Sequence, residues 1–112
     1  MASVDDCRQA LHDLAARLDS HADQVRDRVD LDRTLACRVS DLDTAFHGRL
    51  TDGRLIDLGD GDDPQAKVVL TTTSDDLVAL VHGKLDVPKA LAAGRVSIKA
   101  NPFDLLKLRK LL

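Results

Sequence analysis

Residues 66–99 read AKVVLTTTSDDLVALVHGKLDVPKALAAGRVSIK, and the fold turns on this stretch. Ala66 to Thr72 is a run rich in β-branched side chains, the composition of a central strand. Thr73-Ser74-Asp75-Asp76 then offers side-chain oxygens to the free amides of a helix start, and Leu77, Leu80 and Val81 give that helix an apolar face. Gly83 ends it, because glycine enters the left-handed conformation beyond a helix at little cost. Pro88 opens a second short helix, Lys89 to Ala93, which stops at Gly94. Val96 to Lys99 restores a period of two and makes a further strand. Asn101 and Pro102 supply an N-cap and a first-turn proline for a final Leu-rich helix, Phe103 to Leu112.

Upstream, Cys7, Leu11, Leu14, Leu18, Ala22, Val25 and Val29 recur at spacings of three and four, which predicts one long helix with a narrow apolar seam. Ser3 and Asp6 have the spacing of a capping box at its start. A seam of that width suits packing onto a sheet or pairing with a second copy as a coiled coil. After Asp32 the period becomes two: Leu35, Cys37 and Val39 alternate with polar or small residues, as do Phe46, Gly48 and Leu50. Asp52-Gly53 is a strong hairpin signal, followed by a short strand with Leu55, Ile56 and Leu58. Residues 59–64, GDGDDP, have the composition of a loop. The element order is helix, four strands, two helices, strand, helix.

Composition narrows the function. The chain has 112 residues, enough for one domain with its own core, and a hydrophobic fraction of 44% carried by Leu, Val and Ala, with two Phe and no Trp or Tyr. A formal charge of -3 and the lack of aromatic platforms argue against nucleic acid as a partner. The acidic N-terminus does not resemble a secretory signal, and no apolar run approaches the ~18 residues of a membrane span, so a cytoplasmic location is expected. Cys7 and Cys37 are expected to be structural thiols. His12, His21, His47 and His82 lack metal-ligand spacing, no nucleophile-elbow pattern is present, and the Asp57 to Asp63 loop lacks the ligand spacing of a calcium site. No metal, cofactor or catalytic residue is therefore assigned, and the expectation is a protein that is not an enzyme.

The order of elements resembles the sterol carrier protein type-two family. The resemblance is carried by Val68-Val69-Leu70-Thr71-Thr72 running into Ser74-Asp75-Asp76-Leu77, by Gly83-Lys84-Leu85-Asp86, and by Ala93-Gly94-Arg95-Val96-Ser97-Ile98-Lys99. It implies an α+β domain over residues 1–112: a twisted five-stranded sheet covered on one face by helices, with a long N-terminal helix and a Leu-rich C-terminal helix. It also implies an apolar tunnel between the layers that takes sterol, fatty acid, acyl-CoA or phospholipid. Ala100 stands where many members carry Gly, and the first strands lack the aromatic residues that often accompany the pattern.

A tunnel needs aliphatic walls, because each methylene removed from water contributes ~0.8 kcal/mol while an unpaired buried polar group costs more. The candidate wall residues are Phe46, Leu50, Ile56, Leu58, Val68 and Leu70 from the strands, and Leu77, Leu80, Val81, Leu91, Phe103 and Leu106 from the helices. The same residues would equally fill a solid core. The last helix carries more apolar residues than one stripe holds, which leaves three uses open: a lid over a ligand, a homodimer contact, or a transient membrane-surface contact aided by Lys107, Arg109 and Lys110. The expected activity is carriage of lipid or another apolar small molecule. The rival is a homo-oligomeric scaffold with the same fold and no ligand.

Overall fold

Alternation along the strand segments settles which side of the sheet is covered. The computed structural model describes residues 1–28 and 30–109. Its strands are β1 (Arg33–Val39), β2 (Thr44–Thr51), β3 (Arg54–Asp60), β4 (Val68–Thr72) and β5 (Ser97–Lys99), joined in one sheet of order β3-β2-β1-β4-β5. All neighbours are antiparallel except β1 and β4, which run parallel. Cys37 faces Phe46 across β2 and Leu70 across β4; Leu35 likewise faces Gly48 and Val68, and Ile98 faces Leu70. Paired residues share a face, so these positions form the apolar inner side. The outer side carries Thr34, Arg38, Arg49, Thr71, Ser97 and Lys99, with Arg49 paired to Asp32 at 2.7 Å and Arg38 to Asp62 at 3.2 Å. One buried and one wetted face is the usual arrangement of a sheet with hairpin connections.

Asp52 and Gly53 turn the chain between β2 and β3 with φ of 53° and 75°, the two positive values that a tight hairpin turn needs. The helices are α1 (Val4–Ser20), α2 (Ala22–Arg28), α3 (Ser74–Val81), α4 (Val87–Ala92) and α5 (Pro102–Arg109). The Ser3–Asp6 capping box forms in both directions, with each bond 3.0 Å long. These bonds to Ser3 hold the Asp6 carboxyl below its ordinary range.

The single long N-terminal helix expected from the seam is corrected to two. The Ser20 hydroxyl donates to the Ala16 carbonyl at 3.0 Å, and the His21 amide bonds to Leu18 O at 3.1 Å, which tightens the last turn of α1 and ends it. α2 then packs against the hairpin turn, where a Cβ on Gly53 would meet the Ala22 carbonyl and lie 2.8 Å from the Arg26 amide. Val29, the last residue of the expected seam, and residues 110–112 of the final helix lie outside the described residues.

α1 and α3 lie on the inner face, and Cys7, Ala10, Leu11, Cys37, Val39, Phe46, Leu77 and Val81 form a closely packed cluster there. Leu77 and Val39 are each 1% exposed. Asp41, in the turn after β1, fixes the start of α3 by accepting from the Ser74 amide at 2.8 Å and the Ser74 hydroxyl at 2.6 Å. These bonds keep the Asp41 carboxyl below its usual range. A second, smaller cluster joins Leu31 and Leu50 to Leu35 and Leu108.

Candidate functional site, an apolar cavity under the sheet

Between the two clusters the inner face is not filled. A cavity of about 180 Å³, partly open to solvent and almost wholly apolar, is lined by β1, β2, β3, β4, β5, α1, α3, α5, the first residue of α4 and Val96. For scale, an apolar cavity of about 150 Å³ in another protein stays dry and takes a benzene-sized guest. The space therefore suits a short alkyl chain or one ring, and a whole sterol would need it to widen.

Sequence explains why the gap opens here. Gly48 lies opposite Leu35 on the inner face and presents no side chain. A Cβ there would approach Leu58 Cδ2 to 3.1 Å and Leu55 Cδ1 to 3.3 Å, so both leucines already reach over the glycine. They can do so because β3 carries a bulge: pairing with β2 shifts register between His47 and Arg49, and Asp57 sits at a φ of 56°. Asp tolerates that left-handed conformation better than most residues. The bulge brings Leu55 and Leu58, three residues apart, onto the same side, and turns Ile56 outward.

Of the twelve candidate wall residues, Phe46, Leu58, Val68, Leu70 and Leu80 line the cavity. The others lie elsewhere. Leu77 and Val81 sit in the packed cluster, and Leu50 belongs to the smaller one. Ile56 is 39% exposed on the far side of the bulge. Leu91 is half-buried on α4 and does not reach the space. Phe103 and Leu106 point into solvent, 77% and 62% exposed, because α5 turns its opposite side inward and contributes Leu108 instead. Sequence reasoning recognised Leu11, Leu14, Leu35, Cys37, Leu55 and Leu108 as apolar positions without assigning them to the wall, where they stand. For Leu35 and Leu55 the signal is Gly48, a missing side chain among leucines.

α5 is held at the cavity by polar bonds more than by packing. Asp104, whose side chain is 4% exposed, accepts from Arg33 Nε at 2.9 Å, and Lys107 Nζ donates to the Asp30 carbonyl at 3.2 Å. Asn101 caps the helix by accepting from the Asp104 amide at 2.8 Å.

The wall chemistry is inert. Cys37 lines the cavity, and burial pushes its thiol up to about 12, with Cys7 nearby adding to the effect. Both cysteines are unpaired and buried. A neutral thiol of this kind behaves as a small apolar group. The acidic residues at the end of β3 and just after it are engaged in structure: Asp60 accepts from Arg8 Nη2 at 2.8 Å, and Asp62 holds Arg38. Among the described residues no cluster of His, Cys and Asp could hold a metal ion, and no helix is long and apolar enough to cross a membrane.

Comparison with known proteins adds two kinds of likeness. The family described as alkyl sulfatase C-terminal matches residues 5–112. No curated protein matches the sequence. Among solved structures, the stereoselective inverting sec-alkylsulfatase Pisa1 from Pseudomonas sp. is 30% identical with a TM-score of 0.65; the match covers 88% of this chain and 15% of that one, so the chain spans a small part of that enzyme's length. Sterol Carrier Protein 2 Like 2 from Aedes aegypti is 17% identical with a TM-score of 0.63, covering 94% of this chain and 98% of that one. The sterol carrier protein domain 2 of Helicoverpa armigera is 20% identical with a TM-score of 0.69, covering 88% and 78%. The likeness to sterol carrier proteins read from residues 66–99 is thus a likeness of fold: a five-stranded sheet with helices on one side.

Proposed function

Because the chain belongs to the alkyl sulfatase C-terminal family, we propose that it is a binding module for the alkyl part of an amphiphile, performing no reaction itself and serving a hydrolase that does. One observation carries this reading: an aliphatic, partly open cavity remains where the same face of the sheet is elsewhere packed solid. The sec-alkylsulfatase relative supports alkyl sulfates as a ligand class, and the sterol carrier fold supports lipid carriage in general. A cytosolic location is the reading that two buried, unpaired thiols support.

Affinity comes from apolar transfer. An octyl chain gains about 6 kcal/mol from burial and loses part of it on association, which predicts dissociation constants of roughly millimolar or weaker. Leu70 projects into the cavity from β4, so Leu70→Phe fills it. Wild-type protein is expected to gain thermal stability when octanol or octyl sulfate is added, as any ligand of the native state requires. Leu70→Phe is expected to lose that response while changing stability by less than about 1.5 kcal/mol. A wild type that binds neither compound removes the reading.

Exposure of Phe103 and Leu106 favours a second reading, self-association through α5. Sedimentation separates the two: a dimer abolished by Phe103→Asp, with no ligand uptake, replaces carriage by a scaffold.

A further inference from the structure

Every other arginine whose side chain is described, from Arg8 on α1 to Arg95 before β5, holds an aspartate as an ion pair. Among the arginines whose side chains are described, Arg17 alone pairs with no carboxylate; its Nη2 donates to the carbonyl of Val81. Both residues of this bond adjoin the cavity wall without being part of it. Leu14, three residues earlier and on the same face of α1, lines the cavity, and so does Leu80, the neighbour of Val81. A guanidinium has five N–H donors in a planar fork, and Arg17 commits one of them to a backbone oxygen. In a chain rich enough in Asp to pair its other described arginines, a cation left beside the wall of an apolar space has room for an anion.

We propose that Arg17 anchors the anionic headgroup, a sulfate ester or carboxylate, of an amphiphile whose tail occupies the cavity; this rests on the cavity being a ligand site. The bland alternative is that Arg17 only caps α3, since cations often bond the last carbonyls of a helix. At the α3 end the carbonyls of Val78, Ala79 and Leu80 accept from the amides of His82, Lys84 and Gly83, which leaves Arg17 a single carbonyl, that of Val81, to serve.

Calorimetry with octyl sulfate, octanoate and octanol tests the assignment, since the three share a tail and differ at the head. Both anions, or one of them, should bind wild-type protein at least tenfold more tightly than the alcohol, as a charge-assisted hydrogen bond of about 1.5 kcal/mol or more implies. Added salt should weaken the anions and leave the alcohol unchanged. Arg17→Gln should bring the anions down to the affinity of octanol without changing octanol, and Arg17→Lys should keep part of the preference. Whichever anion binds better names the source, sulfate ester or carboxylate. If Arg17→Gln leaves anion binding within twofold of wild type, the anchor fails and the cavity reading survives. If both variants lose octanol as well, Arg17 is a strut between α1 and α3, and the proposal is overturned. If wild type binds none of the three, the cavity reading itself fails.

Discussion

The two ends of the inner face make opposite use of the same side chains. Toward the C-terminal end of β1, Val39 packs with Leu77, Val81 and Cys7 until nothing is left open; toward its N-terminal end, Leu35 and Val68 look into empty space. Both ends are aliphatic, so composition does not distinguish them. What differs is which elements lie above. α1 and α3 lie close over the first end, with Ser74 tied to Asp41 beneath. The second end is covered by α5, which offers Leu108 alone to the wall, over a strand position that has no side chain, Gly48. A cavity in this fold arises from where small residues and short helices are placed, not from a different kind of residue.

Cutting side chains back at the two ends tests that contrast most strongly. Leu77→Ala should cost about 2–5 kcal/mol in urea unfolding, as large-to-small changes in a packed core do. Leu80→Ala, bordering space that is already open, should cost less, nearer 1 kcal/mol. Equal losses would mean that the cavity is closed by relaxation in solution. Next in size is the attachment of α5: Asp104→Asn leaves Arg33, 37% exposed, without its carboxylate. Solvent tempers the loss, and about 1–2 kcal/mol is expected, with hydrogen exchange accelerating selectively in residues 102–109.

Acid should act on the packed end. Asp41 is held below the ordinary carboxylate value of 3.8 by its bonds to Ser74. A depressed carboxyl contributes stability above that ordinary value, and the contribution is lost as pH falls through the lower, folded value. Denaturation midpoints measured from neutral pH down to about pH 3 should therefore fall, and Asp41→Asn should show less of that fall, since it has lost the interaction at every pH. The smallest effect is expected at Leu106→Asp: the residue lies in solvent, so stability should stay within about 0.5 kcal/mol of wild type and octanol uptake should not change. Lost uptake would bring Leu106 into the site by a movement that the structure does not show.

Much of the fold was legible in the residues. Alternation gives strand positions 35, 37 and 39, Asp52-Gly53 gives the β2–β3 turn, and Thr73 with the polar residues after it gives the start of α3, because each of these rests on local chemistry. The wall of the cavity was legible only in part. Period two places Leu55 with Asp57 and sets Ile56 beside Leu58, and the left-handed Asp57 breaks that rule. The break at His21 escaped the helix seam for a similar reason: Ala22 and Val25 keep the spacing while the backbone changes direction. Phe103 and Leu106 looked like wall residues because hydrophobicity does not say which side of a short helix faces in. Arg17 carried no sequence signal, since a missing partner is visible only when the partners of the other arginines are known.

The bulge in β3 has a consequence beyond the cavity. β3 is an outer strand of the sheet, and its unpaired edge could recruit the same strand of another molecule. Asp57 twists that edge out of flatness, and Arg54 and Asp60 put charges near its two ends. The opposite margin, β5, is three residues long and too brief to template a neighbour. The irregularity that leaves room under the sheet thus also guards its border against edge-to-edge polymerisation, and straightening it should favour fibres before it affects anything that binds inside.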